Sequence, residues 1–231
     1  MTWKSYLLIG MTLAASASAT NLFSNSGFET GDLTGWTVVN SGAGSDDTFY
    51  VNSGTLTPAS FLPTVGAANG TYYAVSDTDN LASPETTAIY QTVVIPVGMY
   101  ITLSLELFVN DAYGPSYGSS GLGGEVGIWA SGANPATDPA LTIVFGPYDT
   151  INASQGVPNP YVLLSADITG NVKGGSTYEI GVLESDTRGP ITAGVDDFTL
   201  SATTPEPGTW LLTGAAMAGL LVFVERARRR S

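Results

Sequence analysis

The sequence predicts an all-β fold, an antiparallel β-sandwich of the jelly-roll kind, and three observations predict it. Between residues 20 and 204, short runs of β-branched and aromatic residues are separated by clusters of Gly, Pro, Asn, Asp and Ser, the punctuation of strands and tight turns. Nowhere in that stretch do apolar residues recur at helical spacing over a long window. The runs number about ten, which suits two stacked sheets wound as a jelly roll.

The clearest strand covers 100–109. Ile101, Leu103, Leu105, Leu107 and Val109 share one face, and Tyr100, Thr102, Ser104, Glu106 and Phe108 the other. Side chains alternate across a strand, so the first set is predicted to face the core. The other strands are predicted over 37–39, 49–51, 72–75, 89–95, 125–130, 141–145, 161–167, 178–184 and 195–201. Trp36 is predicted to be core. Trp129 alternates with Gly127 and reads either as core or as a binding platform.

Both ends of the chain carry a different kind of signal. Lys4 precedes an apolar segment over 6–15, and Ala17-Ser18-Ala19 supplies the small residues a signal peptidase requires. Residues 1–19 are therefore expected to be a signal helix, with the mature chain starting at Thr20 and Ala17 marking the alternative cut. At the other end Pro205-Glu206-Pro207-Gly208 stays extended, because proline lacks an N–H and restricts its neighbour. An apolar run over 210–224 and the cluster Arg226, Arg228, Arg229 and Arg230 follow. That run is short of the roughly 20 residues that cross a bilayer core, and snorkelling arginines narrow the gap. A single membrane-spanning helix with its arginines in the cytoplasm is expected.

These parts in this order resemble the PEP-CTERM sorting tail of Gram-negative bacteria. The resemblance implies a precursor held in the inner membrane until an exosortase cuts near Pro205, Glu206 and Pro207 and releases the body towards the cell surface or matrix. The expected organisation is a signal peptide over 1–19, a sandwich domain over 20–204 and a sorting tail over 205–231. A permanent single-span anchor is the alternative; it leaves the Pro-Glu-Pro unexplained.

From residue 21 to 204 the chain holds 18 acidic side chains against Lys173 and Arg188, a net charge of −16. Such a body repels phosphate backbones and anionic lipids, which argues against a nucleic-acid partner and suits neutral sugars and divalent cations. There is no cysteine, so the fold relies on its core or on bound ions. There is no histidine either, which removes the Ser-His-Asp triad, the His-based zinc site and the commonest general base. Carboxylate-only enzymes such as most glycosidases stay open.

Two motifs sharpen the fold. Asn25-Ser26-Gly27-Phe28-Glu29, Gly31-Asp32-Leu33 and Gly35-Trp36 are similar to the opening of jelly-roll carbohydrate-binding modules of the galactose-binding-like type. Val195-Asp196-Asp197-Phe198 resembles their closing strand, and Tyr72-Tyr73-Ala74 and Gln91 fit the middle. By period two, Asp196 falls on the same face as Phe198 and Leu200, and an inward carboxylate is costly unless paired or metal-bound. The resemblance implies that Asp196 and Glu29, with the Gly27 carbonyl, hold a structural calcium joining the first and last strands. Oxygen donors suit that ion. Asp77 and Asp79 are weaker candidates for a third carboxylate, and a solvated or N–H-bonded rim position for Asp196 is the alternative.

A second candidate is the loop over 110–124. Aromatic rings stack on the apolar faces of sugars while amides and carboxylates bond their hydroxyls, so Asn110, Asp111, Tyr113 and Tyr117 form a candidate sugar patch. The alternative is a connection without a ligand. The carboxylate pairs Asp46/Asp47, Asp77/Asp79 and Glu184/Asp186 are expected to be solvated surface residues. The functional expectation is a non-catalytic surface or matrix module for extracellular polysaccharide, with a carboxylate-dependent glycosidase or lyase as the rival.

Overall fold

The computed structural model describes residues 19–42, 47–77, 85–111, 123–148, 158–186 and 191–204. The predicted signal helix, apart from Ala19, and the whole sorting tail lie outside the described residues. So do Tyr113, Tyr117, Asp46 and Asp79. Among the described residues no helix is long and apolar enough to cross a membrane.

Eleven strands are present: β1 Thr20–Asn21, β2 Thr37–Gly42, β3 Thr48–Asn52, β4 Tyr73–Asp77, β5 Glu85–Val94, β6 Tyr100–Asp111, β7 Gly123–Ala130, β8 Thr142–Tyr148, β9 Val162–Asp167, β10 Thr177–Asp186 and β11 Ile191–Thr203. The ten predicted strands all exist, most of them longer than their apolar stretches; β1 is an addition. One sheet has the order β3-β4-β11-β6-β9, with β1 also paired to β11, and the other has β2-β5-β10-β7-β8. All pairings between them are antiparallel. The last eight strands divide as β4-β11-β6-β9 over β5-β10-β7-β8, which is the jelly-roll winding.

The core sits between the sheets. Ile101, Leu103, Leu105, Leu107 and Val109 enter it from β6 as alternation requires, facing Ile89, Val93, Val126, Ile128, Ile180 and Val182 of the other sheet. Phe108 points the other way yet is also buried, with Tyr73 and Val75, in a smaller cluster on the outer face of the first sheet. The connection 53–72 covers that cluster: Ala67 packs on it, and the Tyr161 hydroxyl donates to the Gly66 carbonyl at 3.0 Å.

Strand register separates the two ends of the sandwich. Thr20 pairs with Ala202, and Thr203 with Tyr100, so both ends of the domain lie at one end, beside the turns over 95–99, 131–141 and 168–176. The strand ends flanking 43–46, 78–84, 112–122, 149–157 and 187–190 all lie at the other.

Candidate functional site

The opening segment and the last strand meet at one junction. Residues 23–36 brace themselves: the Asn25 side-chain amide donates to the carbonyls of Asp32 (2.9 Å) and Thr34 (3.3 Å), and its Oδ1 accepts the Thr30 N–H. Asp32 accepts the Thr30 hydroxyl at 2.7 Å and the Thr34 N–H at 3.0 Å, and these bonds, Thr30 foremost, hold its carboxyl below the usual range. Phe28 sits in left-handed backbone, φ 58°, with its ring stacked on Trp36 at 5.2 Å. Trp36 also meets Phe23 and Phe198, each at 5.4 Å, and its indole N–H donates to the Asn25 carbonyl. Burial of this quartet repays the strained turn, and the Phe198 N–H donates to the Ser26 carbonyl at 2.9 Å. Buried Gln91 of β5 adds a third tie, accepting from the Ser24 N–H and hydroxyl and donating to the Ser24 carbonyl.

The predicted direction of Asp196 is corrected by a bulge. The pairing of β11 with β6 shifts register between Asp196 and Thr199, and Asp197 is left-handed at φ 47°. Val195 and Phe198 both point into the core, although an unbroken strand would put them on opposite faces. Asp196 therefore shares the outer face with Gly194, whose missing side chain makes room for the Phe108 ring. It is nonetheless 0 % exposed, because the 53–72 connection covers it.

Three carboxylates tie that connection to the junction. Asp196 Oδ2 accepts the N–H groups of Ala68 (2.8 Å) and Asn69 (3.1 Å), and its Oδ1 accepts the Asp197 N–H. Asp197 takes the Asn69 side-chain amide. Glu29 Oε1 accepts Thr71 and Tyr72 N–H at 2.9 and 3.0 Å, with Gly70 lying so close that a Cβ there would push the carboxylate aside. Backbone donors, Tyr72 first, keep the Glu29 carboxyl below its ordinary value. Burial pushes the Asp196 carboxyl up to about 6, against its N–H donors and with help from the Asp197 charge.

The acids at this junction are oxygen donors, the kind that calcium takes. A Cβ placed at Gly27 would lie 3.5 Å from Asp197 Oδ1, 3.7 Å from Asp196 Oδ1 and 3.9 Å from Glu29 Cγ, so the three acids gather round a glycine that leaves them room. Among the described residues, however, no three acidic side chains form a closed metal-ligand group. Much of the acceptor capacity is spent on backbone N–H groups. Asp77 serves elsewhere, accepting from Ala59 N–H, Ser60 N–H and the Ser60 hydroxyl.

Asn110 is buried at the end of β6, where its amide donates to the Pro63 carbonyl (3.3 Å) and accepts the Asn159 N–H (2.7 Å). Its hydrogen bonds thus serve the fold. Asp111 ends the same strand opposite Ile191. Trp129 lies on the outer face of the second sheet, over Gly127, with its N–H donating to the Asp138 carbonyl; it is neither core between the sheets nor an open platform. Asp47, Asp77 and Glu184 are buried, which corrects the expectation that they are solvated. Glu184 continues the inward row of Ile180 and Val182, and Glu85 that of Thr87 and Ile89, so both are closed to a polymer. The residues that sequence reasoning missed are Asp197 and Asp77 as clamps. Neither alternation nor spacing marks them; buried Gln91, set in an apolar row, was the one legible signal.

The chain matches no protein-family model and no curated protein. Among solved structures it is similar to TmCBM61 in complex with β-1,4-galactotriose, at 20 % identity and a TM-score of 0.48 over 78 % of this chain and 97 % of that one. It is also similar to a structure of carbohydrate-binding modules from the β-sandwich superfamily, at 14 % identity and a TM-score of 0.46, covering 78 % and 62 %. A Stig cyclase from Fischerella sp. TAU matches at 16 % identity and a TM-score of 0.47, covering 83 % and 100 %. A shared fold does not by itself carry a function.

Proposed function

We propose that this chain is an exported surface or matrix protein whose body is a non-catalytic binding module for neutral extracellular polysaccharide. Signal peptidase removes residues 1–19, the tail holds the precursor in the inner membrane, and exosortase acts near Pro205, Glu206 and Pro207. The observation that carries this reading is the placement of the chain ends. Thr20 and Ala202 pair at one end of the sandwich, and Pro205 follows three residues further along the chain, while the strands flanking 112–122 end at the opposite end. A module tethered this way turns its loop end outward. The net charge of −16 favours neutral polymers.

In this reading Tyr113 and Tyr117 stack on sugar rings, Asp111 bonds their hydroxyls, and Asn110 holds the base of their loop. Calcium is a structural ion, held by Glu29, Asp196 and the Gly27 carbonyl; its positive charge would relieve the repulsion between the acids gathered there. Intact-mass measurement on protein from the native host tests the processing: the released form is expected to lack both Met1 and Arg230. Released protein that keeps Arg230 rejects the sorting reading. For the loop, the double variant Tyr113→Ala, Tyr117→Ala is expected to weaken polysaccharide binding without lowering Tm.

A further inference from the structure

We infer that Phe61 is a stacking platform for a pyranose ring of a neutral glycan; this deepens the polysaccharide-binding reading and rests on it. Phe61 is 71 % exposed, while Phe23, Phe28, Phe49, Phe108 and Phe198 are all buried. It also sits in left-handed backbone, φ 56°, a conformation that costs a bulky residue free energy. At Phe28 a similar strain is repaid by burial against Trp36. At Phe61 the ring itself does not repay it, because it stands largely exposed.

The turn that carries Phe61 is rigid. Leu56 and Pro63 form a bridge, Thr57 N–H donates to the Leu62 carbonyl at 2.8 Å, and Thr64 N–H to the Thr55 carbonyl at 2.9 Å. Leu62 N–H donates to the Thr57 hydroxyl, which stands 2.7 Å from the Ser60 hydroxyl, and Ser60 bonds Asp77. A carboxylate only accepts, so the Ser60 proton goes to Asp77 and the Thr57 proton to Ser60, giving one directed chain from Leu62 to Asp77. Both neighbours of Phe61 are thus pinned to a buried acid at the end of β4. A ring displayed this way loses little freedom on binding.

The occupant follows from size and charge. A protein partner commonly buries about 800 Å² on each side around an apolar centre, whereas the large exposed apolar side chains of this connection are Phe61, Leu56 and Val65 alone, with half-buried Ser60 next to Phe61. The single C–H face of a pyranose matches one ring. Among the described residues Lys173 is the only basic side chain, and it lies in the 168–176 turn at the far end, so the described residues around Phe61 offer an anionic polymer no counter-charge. The turn stands at the loop end: Pro63 is held by Asn110, at the end of β6, and Asp77 closes β4.

Affinity electrophoresis of the whole body, residues 20–204, through gels containing β-galactan, β-glucan or xylan, with dextran sulfate as the anionic control, tests this. Phe61→Ala is expected to weaken binding at least tenfold, and Phe61→Tyr to retain it. Phe61→Gly is expected to lose binding while raising Tm, because glycine adopts the left-handed turn without strain. Wild-type binding that survives in Phe61→Gly overturns the platform and leaves the polysaccharide reading intact. A wild-type body retarded by none of the neutral polymers overturns both, as does retardation by dextran sulfate alone. A lower Tm for Phe61→Gly overturns the claim that Phe61 is held in strain for binding.

Discussion

The junction of residues 23–36 with β11 and the connection over 53–72 both tie the first sheet together, and they do so by opposite means. At the junction an aromatic quartet fills the space between the sheets, and the polar bonds of Asn25 and Gln91 decorate a packed core. The connection has a thin apolar underlayer, Tyr73, Val75 and Phe108, and is held chiefly by side chains accepting backbone N–H groups: Asp77 at 59–60, Asp196 at 68–69 and Glu29 at 71–72. Stability and display are thus held by different parts of the molecule. Apolar burial sets the global stability of the sandwich, whereas charge-assisted bonds shape an outer layer that can present Phe61 without burying it.

Breaking the junction should cost most. Phe198→Ala is expected to destabilise the body by about 3–5 kcal/mol, the usual cost of deleting a fully buried aromatic ring, and to do so cooperatively. Urea denaturation followed by tryptophan fluorescence and by circular dichroism should give coincident curves with a lowered midpoint. A loss below about 1 kcal/mol would mean that the quartet does not hold the ends together.

Breaking the connection should cost less and act locally. Asp77→Ala leaves the Ala59 and Ser60 N–H groups without their acceptor, a loss of about 1–3 kcal/mol. Hydrogen exchange should quicken over 55–66 while β6 and β10 stay protected. Equal loss of protection in those two strands would erase the distinction between the regions.

The smallest effect lies within the clamp. Asp196, with its pKa raised to about 6 by burial, stabilises the fold when protonated; that contribution is complete below about pH 4 and lost as pH rises to about 6. Glu29, whose pKa is lowered by N–H donors, has the opposite sign: its contribution is present above the ordinary glutamate value and is lost as pH falls. In chelator, Tm should decline from pH 4 to 6, and Asp196→Asn should flatten that decline. Added calcium should raise Tm above pH 6 in wild type and not in Asp196→Ala. An unchanged Tm with excess chelator and with calcium would reject the ion.

Much of the fold was legible in residue order. Alternation over 100–109 placed β6 and its core face, and all ten predicted strands form, because a strand's side chains reveal which face is buried before any partner is known. Trp36, Phe28 and Phe198 were readable as motif members, and they do pack together. Period two failed at Asp196, since it assumes an unbroken ladder and a bulge at Asp197 reverses the alternation.

By itself, then, the sequence determined the class of fold, the strands, most of the inward faces and the body's net charge of −16. Tertiary structure alone decided how Asp77, Asp196 and Glu29 are used. Their N–H partners lie 17 to 18, 127 to 128 and 42 to 43 residues away along the chain, and such a pairing exists only once the 53–72 connection has been laid across the sheet. It also decided that Phe61, one phenylalanine among eight, stands outside the core. Exposure is a property of what the rest of the chain leaves uncovered, and no local pattern of residues encodes it.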